Sequence, residues 1–303
     1  MGITLGIIGF GEVGGIFGRG LRGQNGIDAV LAWDLRFADA QTGADARAAA
    51  QADGIEAVDG MAALCARADL LISAVTASNT LAVAQQAAPH ARRGARFLDL
   101  NSASPGTKQQ AAAALQAAGV DYVEAGVMTS VPPYGIRVPM LLGGARAADL
   151  AQLLQAWGMD AKPVSAELGV ASAIKMSRSV MIKGLEALVI ESYATARRYG
   201  VEDQVLPTLK ETFPQIDWDK QGAYFFSRVV QHGQRRAEEM REAARTVQEA
   251  GYEPLMAEAI ARKQQAVADL ARAGVFAGLP AGARWQDYAD RLIAHSDART
   301  GAD

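Results

Sequence analysis

The 303 residues predict an α/β fold: a doubly wound parallel sheet, then an all-helical region joined to it by a long helix. Three observations carry this. Short apolar runs alternate with alanine-rich segments of helical length through the first half of the chain, the pattern of crossover units on a parallel sheet. Three glycines, Gly9, Gly11 and Gly14, stand directly behind the first apolar run. After about residue 165 strand patterns stop and helical ones continue to the end.

The strand candidates are ITLGII (3–8), AVLAWD (29–34), DLLISAV (69–75), ARFLDL (95–100) and VDYVEA (120–125). Several are continuously apolar, as strands buried on both faces should be. VPMLLGG (138–144) and DAKPV (160–164) read as later strands of the same sheet. Between them, DARAAAQA (45–52) and GTKQQAAAALQAAG (106–119) read as helices, since alanine is the strongest helix former. From Glu167 to Tyr199 there is no proline and the pattern is helical throughout. GAYFFSRVVQHG (222–233), RRAEEMREAARTVQEAG (235–251) and PLMAEAIARKQQAVADLARAG (254–274) continue it, punctuated by glycine and proline. The domains are therefore expected at 1–164 and 165–303, with HSDARTGAD (295–303) as a frayed tail.

Composition excludes several functions. A formal charge of -3 and a pI near 5.7 give no pull toward nucleic acid. The single cysteine, Cys65, rules out an internal disulfide framework and reads as a small buried residue. The apolar start lacks the basic stretch of a signal peptide, and Gly6 stands where a myristoylation motif needs a hydroxyl. No apolar run reaches the ~18 residues of a membrane span. A cytoplasmic location follows as the expectation. No His, Cys or Asp spacing suggests a metal site.

The glycines give the first functional signal. In Gly9-Phe10-Gly11-Glu12-Val13-Gly14 the first glycine permits a tight turn and the second lets a pyrophosphate approach the backbone. The third lets a helix pack on the strand. The phosphates would meet unpaired amides at the positive end of a helix dipole. Such a strand–turn–helix marks a Rossmann-type dinucleotide site. Asp34 stands twenty residues beyond Gly14, at the end of the second strand, where a carboxylate accepts from ribose hydroxyls. It favours NAD; Arg36, two residues on, could instead receive the extra phosphate of NADP. Val75 and Thr76, behind the fourth apolar run, are expected along the nicotinamide half.

Three further segments resemble motifs of the β-hydroxyacid dehydrogenase superfamily, which includes 6-phosphogluconate and 3-hydroxyisobutyrate dehydrogenases. DLNSASP (99–105) resembles its Asp-x-Ser/Asn-Ser segment, in which a serine, here Ser102, holds substrate. EAGVMTS (124–130) loosely resembles Asp-Ala-Pro-Val-Ser-Gly-Gly, with Gly126 for the proline and Met128 for the serine. GVASAIKMSRS (169–179) resembles Gly-x-x-x-x-x-Lys-x-x-x-Asn, keeping Gly169 and Lys175 but placing Ser179 where the asparagine stands. The resemblance covers most of the chain. Its departures, together with the unusual loop VPPYGIRVP (131–139), point to a branch with its own substrate and a distinct helical C-terminal domain.

The resemblance implies an NAD(P)-dependent oxidoreductase acting on a small hydroxy acid, with substrate entering between the domains. Lys175 would be the acid/base, with Ser102 and Ser179 orienting substrate. An unperturbed lysine, at ~10.4, is almost wholly protonated at neutral pH, so the role asks for burial or a neighbouring cation. Lys175 and Ser179 are four apart and stack on one helical face, with Lys183 four further on, either on the same stripe or solvated. Met128 and Thr129 would line the pocket, with the substrate anion met by Arg137, His232, Arg235 or Arg236. RRAEEMRE also fits a solvated helix face with charge pairs three and four apart. Family habit adds a homodimer. Two rivals stay open: an imine reductase using NADPH, and a dinucleotide-binding sensor without turnover.

Overall fold

In a computed structural model, which describes residues 2–300, the chain divides into two compact units, 1–177 and 178–303. The first opens with β1 (Ile3–Ile8), α1 (Glu12–Leu21), β2 (Ile27–Trp33), α2 (Gly43–Ala52), β3 (Glu56–Ala57), α3 (Met61–Arg67), β4 (Leu70–Ser73) and α4 (Thr80–Ala87). It continues through β5 (Arg96–Asp99), α5 (Pro105–Ala117), β6 (Asp121–Val127), β7 (Met140–Gly143), α6 (Ala147–Ala156) and β8 (Ala161–Ser165). The division falls inside α7 (Val170–Tyr199). Then come α8 (Glu202–Thr212), α9 (Trp218–Glu249), α10 (Leu255–Arg272) and α11 (Trp285–Thr300).

The eight strands form one sheet in the order β3-β2-β1-β4-β5-β6-β7-β8. Chain order reverses between β1 and β4, which makes the crevice at their C-terminal ends the topological switch point. Side chains alternate across the pleat. Leu5 and Ile7 join a core with Phe17, Leu150 and Trp157 on one face, and Ile8 joins one with Leu64, Phe97 and Leu115 on the other. Both faces are thus covered, as apolar parallel strands require.

Four expectations are corrected. The sheet is not wholly parallel: β7 runs antiparallel to β6, because residues 128–139 return the chain without a crossover helix. The two-residue β3 was too short to leave an apolar run. Segments 222–233 and 235–251 are one continuous helix, α9. Gly233 does not interrupt it; a Cβ there would lie 2.8 Å from the Gln264 carbonyl oxygen and 3.0 Å from the Ala268 Cβ, so the glycine serves close packing of α9 on α10. Finally, residues 295–300 belong to α11, while 301–303 of the expected tail lie outside the described residues.

The helical unit has its own core of Ile190, Tyr193, Trp218, Phe226, Trp285 and Tyr288. Among the described residues no helix is long and apolar enough to cross a membrane. Cys65 is buried, and burial pushes its thiol from 9.0 up to about 12. A neutral thiol is thus favoured by folding. Its contribution to stability is full below the ordinary value and is lost as pH rises from 9.0 toward about 12. Ellman's reagent at pH 8 is expected to leave Cys65 unlabelled in the native protein and to label it at once in denaturant.

Candidate functional site

The site begins where β1 turns into α1. Gly9 has φ +87°, a left-handed conformation that glycine adopts without strain. A Cβ on Gly9 would also stand 2.7 Å from the Ala74 carbonyl oxygen, across the crevice between β1 and β4. A Cβ on Gly14 would stand 2.0 Å from the Gly9 oxygen, so α1 can lie on the turn only because that atom is missing. Gly11 faces open space: nothing lies within 4 Å of where its Cβ would be. It is the N-cap of α1 with no side-chain cap, and the first-turn amides of a helix have no partners within the helix. Glu12 and Val13 follow in that turn, exposed and half-buried respectively.

Asp34 lies just past β2. One carboxylate oxygen accepts from the Phe10 amide at 2.7 Å. The other accepts from the Arg36 amide at 2.9 Å and Nε at 3.0 Å. Burial works against ionisation of Asp34, but hydrogen bonds from Arg36, its positive charge and the Phe10 amide outweigh it and hold the carboxyl below its usual range. The Arg36 guanidinium also donates to the Phe10 carbonyl at 2.5 Å.

A polar chain runs along the C-terminal edge of the sheet from the end of β4. The Val75 amide donates to Asn101 Oδ1 at 2.7 Å, and Asn101 Nδ2 donates to Ser73 Oγ at 2.9 Å. Asn101 therefore ties the turn after β5 to the end of β4. Asp99, 1% exposed, anchors that turn. Its Oδ1 meets Lys108 Nζ at 2.8 Å and the Asn101 amide at 2.9 Å, and its Oδ2 accepts from Tyr122 Oη at 2.6 Å. Burial, reinforced by the Asp99 charge, pushes the Tyr122 phenol well above its usual range, so it stays a donor. Next along the turn is Ser102, half-buried, whose Oγ accepts from Lys175 Nζ at 2.6 Å. Ser102 and Lys175 are 73 residues apart in the chain.

The remaining candidates sit as follows. Thr76 is exposed, with Oγ1 accepting from Asn79 Nδ2 at 2.9 Å. The Met128 amide donates to the Pro139 carbonyl at 2.9 Å, and Thr129 is exposed. Arg137 is exposed in a 3₁₀ turn (Gly135–Arg137). In the helical unit Ser179 Oγ accepts from Lys183 Nζ at 3.3 Å, and Lys183 pairs with Glu239 at 2.8 Å. Lys183 is 7% exposed, which overturns its reading as a solvated charge. Arg236 is equally buried and is committed to Glu186. Glu239 and Glu242 are also buried, so RRAEEMRE is not a solvated face. Arg235 is exposed and pairs with Glu239, and His232 is half-buried on α9.

Two supports of the site were not singled out from the residues. Lys108 lies in an alanine-rich helix and looks like any helical lysine. Glu124 did leave a signal, an acidic residue inside the apolar strand DYVEAGV.

The left-handed turn, the bare Gly11 and the uncapped start of α1 offer the open backbone that a diphosphate fits. Fold and site define a Rossmann-type dinucleotide-binding protein. Residues 4–160, more than half of the chain, match the family described as the NAD binding domain of 6-phosphogluconate dehydrogenase. The chain thus belongs to the β-hydroxyacid dehydrogenase superfamily, through the 6-phosphogluconate dehydrogenase NAD-binding family. Residues 196–267 match a domain of unknown function (DUF1932). A conserved hypothetical protein from Sinorhizobium meliloti 1021 is similar at 40% identity, covering 96% of each chain, with a TM-score of 0.75. A conserved protein whose structure is described as similar to 3-hydroxyacid dehydrogenases is 28% identical, over 89% of this chain and 98% of that one, with a TM-score of 0.67. A 3-hydroxyisobutyrate dehydrogenase of Mycobacterium tuberculosis shares the fold, at 16% identity over 96% and 99% of the two chains, with a TM-score of 0.64.

The missing Gly14 Cβ makes a direct test. Gly14→Ala is expected to push α1 off the turn, at or above the ~1–3 kcal/mol typical of overpacking. Calorimetric NADH binding is expected to be lost while far-ultraviolet circular dichroism stays near native.

Proposed function

We propose that the protein is an NAD-dependent oxidoreductase acting on a small hydroxy acid, with Lys175 as the acid/base. The observation that carries the reading is the Lys175–Ser102 hydrogen bond of 2.6 Å. It puts a proton-bearing amine on the sheet edge that begins at the Gly9 turn. The turn from Gly9 to Gly14 and the first amides of α1 would hold the diphosphate, and Asp34 the adenine ribose. Bound nicotinamide supplies the hydride acceptor in oxidation and the donor in reduction.

The chain's part is proton handling and orientation. Lys175 takes the hydroxyl proton as the alcohol becomes a carbonyl and returns it in the reverse direction. Ser102 orients the reacting oxygen beside the amine, and Ser179 orients the substrate with its hydroxyl. Met128 and Thr129 shape the pocket. The preference for NAD follows from the Asp34 carboxylate, which repels an added phosphate. Arg36 is already engaged with Asp34 and the Phe10 carbonyl. A homodimer is part of the reading, supported in the helical unit by Met181 and Leu188, exposed on α7.

Lys175→Ala is expected to keep NADH affinity while cutting turnover at least about a hundredfold, the low end of positioned proton transfer. The assay follows NADH absorbance with 3-hydroxypropionate, 3-hydroxybutyrate and 3-hydroxyisobutyrate. Turnover of cyclic imines with NADPH, and of none of these acids, would favour an imine reductase. Tight NADH binding without turnover of either set would favour a sensor. Asp34→Ala is expected to weaken NAD binding and narrow its advantage over NADP; calorimetric titration with both nucleotides reads the change.

A further inference from the structure

We propose that Glu124 is the positioning residue for Lys175, acting through the first turn of α7. The proposal rests on the reading of Lys175 as the acid/base. Glu124 sits in β6 and is 0% exposed. Its Oε1 accepts from the Gly169 amide at 2.7 Å and the Ala171 amide at 3.1 Å. Its Oε2 accepts from Ser172 Oγ at 2.7 Å. Both oxygens are thus spent on the start of one helix. They meet amides that a helix start leaves unpaired, at the positive end of its dipole.

The surroundings are cut to fit this contact. Gly143 is the cross-strand partner of Glu124 in β7. A Cβ there would stand 2.5 Å from Oε1, so the side chain has its channel only because Gly143 has none. Two residues along β6, on the same face of the strand, comes Gly126. A Cβ on Gly126 would stand 2.9 Å from the Ala171 carbonyl oxygen and 3.4 Å from Lys175 Cβ. Glu124 fastens the first turn, and Gly126 lets the next one settle close to the strand. Lys175, four residues after Ala171 and on the same helix face, takes its height above the sheet from both. Ser102 comes from a separate element, the turn held by Asp99. A shift of about 1 Å at a reacting group can cost on the order of 10²-fold in rate.

The test reads Lys175 directly and needs no substrate. Lysines are reductively methylated with ¹³C-formaldehyde, and the Lys175 resonance is assigned by its loss in Lys175→Arg. Glu124→Ala is expected to move both the chemical shift and the titration midpoint of that resonance. Glu124→Gln keeps an oxygen for the two amides, and its resonance is expected to lie near wild type. Gly143→Ala, which closes the channel of the Glu124 side chain and touches neither α7 nor Lys175, is expected to move the resonance as Glu124→Ala does, and it decides the matter if Glu124→Ala does not fold. Calorimetric NADH affinity checks that the sheet is intact. With the three hydroxy acids above, kcat in Glu124→Ala is expected to fall on the order of a hundredfold, with KM for NAD unchanged. A purely structural Glu124 would lower the unfolding midpoint and leave the Lys175 shift and titration where they were; that result overturns the proposal. If the resonance moves as expected but Lys175→Ala turns over normally, the acid/base reading fails and the positioning stands.

Discussion

The site depends on a carboxylate buried where none would go unaided. Asp99 lies under the C-terminal edge of the sheet beside Lys108, which is 0% exposed. Removing two charges from water costs several kcal/mol per ion, and only a well-satisfied geometry offsets it. Here the satisfaction is dense. Asp99 Oδ1 takes a lysine and an amide, Oδ2 takes a phenol, and Lys108 Nζ donates again to the Asp99 carbonyl at 3.1 Å. Losing one partner would strand the other, at about 3–5 kcal/mol. The turn after β5 therefore has little freedom to move, and its next residues inherit the rigidity. Asn101 and Ser102 stand on a fixed base.

That base explains how one edge can serve two tasks. On the proposed reading the cofactor end needs bare backbone, which Gly9, Gly11 and Gly14 present. The proposed chemical end, at Ser102 and Lys175, needs side chains held in place. The sheet supplies both, because successive parallel strands deliver their C-terminal turns to the same edge. Asn101 bridges the two ends by holding the Val75 amide. With that amide already occupied, Val75 would offer only its side chain and carbonyl to whatever lies along the crevice. The phenol of Tyr122, kept protonated by burial and by Asp99, adds a donor insensitive to any ordinary pH.

Much of this was legible in the residues, for a definite reason. A requirement for an absent β-carbon leaves a glycine, and glycines with fixed spacing behind an apolar run are easily read. A strand buried on both faces leaves an apolar run, which made most of the sheet visible; β8, mostly exposed, was read without such a run. What could not be read was pairing. The antiparallel turn of β7 depends on how residues 128–139 return, and no spacing encodes that. The side-chain partners of Asp99 lie 9 and 23 residues away in the chain, and the Glu124 contacts span 45 to 48. Charged residues at such distances look alike whether they are solvated or joined.

The helical unit shows the same ambiguity resolved in the less expected direction. RRAEEMRE has the three- and four-residue spacing of a solvent-facing helix, yet Arg236, Glu239 and Glu242 turn inward. The composition suggests why burial is useful there. Half of the buried residues of α10 are alanine, Ala257, Ala261 and Ala268, and they face an α9 that buries Ala237, Ala243 and Ala244 among larger side chains. Small uniform side chains pack closely but discriminate poorly between one register and a register one turn away. A buried ion pair does discriminate, because a one-turn slip separates its charges without returning them to water. Lys183 with Glu239, and Glu186 with Arg236, therefore fix α9 against α7 at two successive turns. Gln264 carries the link to α10 by donating to Glu186 Oε2 at 3.2 Å. Ser179 receives its hydrogen bond from Lys183, so the same pairs that set the helix register also orient this hydroxyl.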